Sequence, residues 1–192
     1  SFSEAQEIII QALAPLGREY VDIIRKAFAE RWIDRADNKG KRSGAYSSGS
    51  YGTNPYILMN WQGTLNDLFT LVHELGHSVH SRYSRTTQPF VYSNYSIFLA
   101  EIASTTNENL LVEYLLENSD DEKLRETVVN QYLDGFKGTV FRQTQFAEFE
   151  HMVHPAAAAG QPLTNDFLTE KYGEMNKKHY GEDLAFDAQI AL

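Results

Sequence analysis

The sequence predicts a mainly α fold with one small β-hairpin or edge sheet near residues 44–60. Three observations carry this. Most of the chain repeats its apolar residues at helical spacing, and Pro, Gly or Ser/Thr cap residues separate these stretches. Residues 44–60, GAYSSGSYGTNPYILMN, change character, interleaving Gly, Ser and Tyr around a Thr53-Asn54-Pro55 turn before the apolar Tyr56–Met59.

Taken in order, residues 3–14 and 17–32 read as two amphipathic helices broken around Pro15 and Gly17, and 34–43 as a polar loop. After the hairpin, helical periodicity runs from Leu65 to Tyr83 and from Ser96 to Glu117. Ser119 and Glu122 form a capping-box pattern for a long third helix, which Pro155 stops after His154, with Gly135 and Gly138 as bend points. Residues 155–162 read as a loop, and Thr164 caps a helix reaching Lys178. The final segment, DLAFDAQIAL, is apolar-periodic with no stop signal. The abrupt finish suggests a chain cut in mid-structure, so the 192 residues read as one partial domain.

Composition narrows the function classes. No apolar run approaches the roughly 18 residues that span a bilayer, so no membrane association is expected. The opening SFSEAQEIII lacks the basic segment of a secretory signal. A net charge of −9, spread along the chain, repels phosphate backbones and argues against nucleic-acid partners. Cysteine is absent, which fits a reducing cytoplasm and leaves only His, Asp or Glu to hold a transition metal.

The informative stretch is LVHELGHSVH, residues 71–80. Side chains four apart stack on one helix face about 6 Å apart along the axis, so His73 and His77 can converge on one metal. Glu74 flanks the pair and can take a proton from a water at that metal without closing its coordination shell. Leu68, Val72, Leu75 and Val79 form an apolar stripe nearly opposite the histidines, giving the helix a core face and a cleft face. A chance H-E-x-x-H match in a chain of this length is on the order of 1% or rarer, so the pattern reads as a site.

A tetrahedral catalytic metal needs a third protein ligand. His80 lies about 10 Å from His73 along the axis, too far for two nitrogens on one ion, so it reads as structural. The longer motif with a Gly three residues after the second His and a His three beyond also fails, because His80 and Tyr83 occupy those positions. A carboxylate from the next helix remains. Glu101, in SIFLAEIASTTNENLL, is the candidate, with a solvated helix charge as the plain alternative. Its neighbours Phe98, Leu99, Ile102 and Ala103 predict a buried stretch. Ser104 and Glu108 share its face, and Glu108 is placed to hydrogen-bond a ligand imidazole. Residues Ala45, Tyr46, Ser47, Ser48 and Gly49 are candidates for an edge strand that pairs with a substrate backbone, or for a simple structural hairpin. His151 and His154 read as ordinary helix residues.

HELGHSVH, followed by FLAEIAS, preceded by GTNPYILMNW and trailed by HYGEDLAFDAQIAL, resembles the oligoendopeptidase F family of thimet-oligopeptidase-like zinc peptidases. The resemblance runs from about Gly44 to the end. It implies a zincin-like helical catalytic domain in which one zinc is held by His73, His77 and Glu101, with Glu74 as general base. It also implies a cytoplasmic bacterial endopeptidase that cleaves short, unstructured peptides in a deep channel. Members of that family are longer, and a later segment rich in His and Tyr stabilises the oxyanion, so the resemblance implies a fragment of the catalytic domain, truncated at both ends. Two alternatives stay open: a non-catalytic, truncated metal-binding helical module, and a zinc exopeptidase.

Overall fold

Leu68, Val72, Leu75 and Val79 are all buried in the computed structural model, on the inner face of the longest helix, α3 (Leu65–Thr87). Thr64 caps this helix: its hydroxyl accepts the Asp67 amide, and the Asp67 carboxylate accepts the Thr64 amide. The structure describes residues 1–181, in two compact units whose boundary follows Val129.

In the first unit, α1 (Phe2–Ala12) and α2 (Arg18–Ala29) join through a short 3₁₀ turn, Ala14–Leu16, with Pro15 in its middle. Three strands follow, β1 (Ile33–Asp34), β2 (Tyr46–Ser48) and β3 (Tyr56–Leu58), then α3 and α4 (Ile97–Glu117). Ile9, Ile24, Trp32, Ile57, Met59, Leu71 and Leu111 form one core that every one of these helices enters. The sheet order is β1-β3-β2, with β2 antiparallel and β1 parallel to β3, so β2 is an edge strand.

The mainly α fold with one small sheet is as the sequence predicts, and so is the β2–β3 hairpin. Strand β1 was not foreseen. It lies just past the expected end of the second helix and takes the first residue of the polar loop; α2 itself stops at Ala29, because Arg31 adopts φ 58° and turns the chain out of it. The turn sends the Trp32 indole into the core, and the Trp32 and Asp34 carbonyls accept the Ile57 and Met59 amides at 2.8 and 3.0 Å. Helix α3 also continues one turn past Tyr83.

Helix α5 (Glu122–Phe136) starts on Asp121 rather than on a Ser119–Glu122 box; one Asp121 carboxylate oxygen accepts the Lys123 and Leu124 amides. In the second unit a π-helical turn, Lys137–Phe141, containing Gly138, leads into α6 (Arg142–Ala158). Pro155 does not stop α6. Only one turn follows it, made of alanine, the residue that most favours helix, and the Pro155 carbonyl accepts the Ala159 amide at 2.9 Å. Helix α7 (Asn165–Tyr180), capped by Thr164 as expected, packs on α6 through the Phe149 and Tyr172 rings and the Glu148–Lys178 ion pair. The predicted helical tail at 183–192 lies outside the described residues.

Leu75 is fully buried, so Leu75→Ala is expected to cost about 2–5 kcal/mol of stability. Urea unfolding followed by the fluorescence of Trp32 and Trp61, both in the first unit, measures it; a loss below about 1 kcal/mol contradicts the packing described.

Candidate active site

His73 and His77 sit one turn apart on the outward face of α3, their rings nearly perpendicular with centroids 4.7 Å apart. The two Nε2 atoms are 3.0 Å apart. A carboxylate oxygen of Glu101, in the second turn of α4, lies 3.3 Å from His73 Nε2 and 3.5 Å from His77 Nε2. Bonds of about 2.0–2.2 Å at tetrahedral angles require donor separations of roughly 3.3 Å. The three distances match the edges of such a site, and these residues form the one group of three or more potential metal ligands among the described residues.

His73 Nδ1 bonds to Glu108, the support a metal-bound imidazole requires, and the nearby Ala100 backbone draws the His77 pKa upward against its burial. Both Nε2 atoms face each other and the Glu101 carboxylate. Ser104, fully buried, donates its hydroxyl to the Glu101 carboxylate at 2.8 Å and fixes the third donor.

Glu74 is buried beside this cluster. The backbone of Ser47 in β2 lies near enough to draw its pKa down, while Oε2 is enclosed and has no hydrogen-bond partner. An enclosed carboxylate oxygen with nothing to accept is costly unless a donor is to be bound there. The donor set and this oxygen together fit a metal with a water beside it. Electrostatics follow the same geometry in the metal-free chain. Burial raises the Glu74 pKa against the opposing pull of His73 and the Ser47 backbone. Burial also works against charge on His73, but the bond to Glu108 and the charges of Glu108, Glu74 and Glu101 outweigh it, and the pKa rises. His77 goes the other way, lowered by burial and by its neighbour His73.

One expectation about this region is corrected. The stretch around Glu101 is not buried: Phe98 is 83% and Ile102 57% exposed, and the Glu101 side chain is itself half exposed. Only Ala100 and Ser104, small residues, are buried in this stretch. It is the Ser104 hydroxyl, rather than desolvation, that disciplines the carboxylate.

Beyond the cluster, Ser47 docks β2 on α3, its hydroxyl 2.8 Å from that of buried Ser78, with Ala45, Tyr46, Ser48 and Gly49 along the same edge. His80 takes no part in the cluster; its ring stacks on Tyr95 at 3.8 Å. His151 and His154 are exposed on α6 in the second unit.

Residues 3–192 match the profile of peptidase family M3. The chain belongs to peptidase family M3. Over its whole length this M3 chain is 58% identical to oligopeptidase PepF of Bacillus subtilis (strain 168), covering 29% of that protein. It is also 58% identical over 181 residues to the chromosomal oligoendopeptidase F of Lactococcus lactis subsp. cremoris, matching 94% of this chain and 30% of the relative. The crystal structure of oligoendopeptidase F from Enterococcus faecium superposes on 98% of the M3 chain with a TM-score of 0.61 at 43% identity, across 26% of that structure's chain. The resemblance read from the motifs is borne out, and the M3 chain spans about 30% of the length of the curated relatives it matches.

Two residues that shape the M3 site carried a signal that went unread. Gly76 lies inside α3 between the histidines, where glycine costs about 1 kcal/mol relative to alanine, so a helix keeps it there for a packing reason. A Cβ at Gly76 would stand 2.7 Å from Ser104 Cα and 2.9 Å from the Ala103 carbonyl oxygen. Asn107 is the one amide among the apolar and small residues on the buried face of α4, and it joins three helices: it donates to the Val72 carbonyl at 3.1 Å and accepts from the Tyr20 hydroxyl at 2.9 Å. Burial pushes the Tyr20 pKa up to about 12, which keeps that hydroxyl a donor at neutral pH.

Glu101→Ala is expected to weaken metal binding, and Glu108→Ala to weaken it 10–100-fold through loss of the His73 support. Competition titration against a chromophoric chelator reads both. Unchanged affinity in the first variant removes Glu101 from the donor set.

Proposed function

We propose that the protein carrying this chain is a zinc metalloendopeptidase that cleaves internal bonds of short peptides. His73, His77 and Glu101 hold the zinc and Glu74 is the general base. The observation that carries the reading is the meeting of three donor atoms at tetrahedral spacing beside the buried, partnerless Oε2 of Glu74. Hard and borderline donors in an N₂O set with a fourth position left for water suit catalytic zinc. The oligopeptidase names of the relatives support the substrate class.

When bound, zinc lowers the pKa of a coordinated water and polarises a substrate carbonyl. The chain's own groups do the rest. Glu74 Oε2, enclosed and without a partner, accepts the proton of the attacking water. Its burial raises its affinity for that proton toward the value a neutral-pH base needs, and Glu74 then passes the proton to the departing amine. Glu108 keeps the His73 imidazole in the tautomer that presents Nε2.

Substrate binding falls to Ala45–Gly49. Strand β2 is the open edge of the sheet, so an extended peptide can add to it through main-chain hydrogen bonds, which give affinity with little sequence preference. Half-exposed Tyr46 offers an aromatic face beside that edge. Such peptides, met in the cytoplasm, are the partners this reading assigns. No described helix is long and apolar enough to cross a membrane.

Glu74→Gln in the protein carrying this chain is expected to keep its zinc and lose peptide cleavage by a factor of about 10³ or more. Elemental analysis and a quenched-fluorescence peptide assay measure the two properties; loss of zinc would make Glu74 a ligand and overturn its role. Mass spectrometry of a peptide blocked at both ends separates the endopeptidase from an exopeptidase, which would leave it intact.

A further inference from the structure

We propose that Gly76 is the positioning residue of the metal site: by letting the α4 backbone lie directly on α3, it brings the Glu101 carboxylate within bonding range of the His73–His77 pair. The proposal rests on the zinc site read above and deepens it.

At position 76 the space for a side chain is filled by main chain. A Cβ there would meet Ser104 Cα at 2.7 Å, the Ala103 carbonyl oxygen at 2.9 Å and the Ser104 nitrogen at 2.9 Å. No rotamer change relieves contacts to backbone. Ordinary contact begins at 3.4 Å, so α4 has to withdraw by several tenths of an ångström at this point to admit a methyl group. Metal–ligand bonds tolerate about ±0.2 Å.

The contact lies in the middle of the bonds that build the site. On α4, Ala100 lies beside His77, Glu101 is the third donor, Ser104 orients Glu101 from the contact point itself, and Glu108 holds His73. One turn earlier on α3, the Asn107 amide clamps the same two helices at the Val72 carbonyl. A withdrawal of α4 at residues 103–104 therefore moves the Glu101 donor and the Glu108 support of His73 together. Elsewhere in the chain, Gly135 sits inside α5 with nothing within 4 Å of a built Cβ, so helical glycine as such has no comparable role.

The test measures zinc affinity of the protein carrying this chain by competition with a chromophoric chelator, with far-ultraviolet circular dichroism as the check on folding. Gly76→Ala is expected to keep the helical signal and to bind zinc at least tenfold more weakly, while Gly135→Ala binds as the parent does. A double-mutant cycle with Glu101→Ala separates positioning from general loosening. If Gly76 acts through Glu101, adding Gly76→Ala to Glu101→Ala weakens zinc binding far less than it does alone; full additivity overturns the proposal. Should Gly76→Ala fail to fold, Asn107→Ala, which slackens the same contact without added bulk, decides: parental zinc affinity in that variant refutes the idea. A parent chain that binds no zinc sinks the metal site itself. A parent that binds zinc and depends on Glu101, but is indifferent to Gly76→Ala, sinks the role of Gly76 alone.

Discussion

The main-chain contact between α3 and α4 at Gly76 is the constraint on which the site depends. Two helices ordinarily pack with their axes 8–10 Å apart because side chains stand between them. Here glycine on one helix and Ala100 and Ser104 on the other let them approach without such a spacer. The same face of α4 then does two jobs along its length. Its first half presents Glu101, Ser104 and Glu108 to the histidines, and its second half sends Leu111 and Leu115 into the core. The core anchors the far end of the helix, and the glycine contact aims the near end.

Charge gives the arrangement a second logic. Glu74, Glu101 and Glu108 surround two imidazoles in a partly enclosed space, and the ion pairs of Glu101 and Glu108 are with those imidazoles. A proton on His73 offsets part of this negative charge, which is why the carboxylates pull its pKa up although burial pushes down. His77, nearest in charge terms to His73, yields. One cluster thus prepares unlike behaviour in two chemically identical rings four residues apart. A bound divalent cation satisfies the same field with both rings neutral.

Much of this was legible in the sequence, and the gaps have physical reasons. The H-E-x-x-H spacing and the opposite apolar stripe place the histidines on a cleft face because both follow from helix geometry alone. Glu101 was within reach because a helical hairpin brings the next helix back alongside. Its surroundings were misread: Phe98, Leu99 and Ile102 look like a core run, yet helical spacing turns them away from the narrow strip of small residues that meets α3. Strand β1 escaped notice because two residues carry no periodicity, and its existence depends on the single left-handed residue Arg31. The helix start at Asp121 was missed because Ser119 and Glu122 satisfy the same pattern two positions away, and local sequence does not rank two neighbouring acceptors. Gly76 and Asn107 were visible as residues out of place in their helices, but what each touches is a tertiary fact.

The donors and their supports all fall between His73 and Glu108, 35 positions apart, on consecutive helices. Closing so short a loop costs little entropy compared with a site gathered from remote parts of a chain. The proposed grip on an ion thus travels as one contiguous cassette of sequence, its parts inherited together.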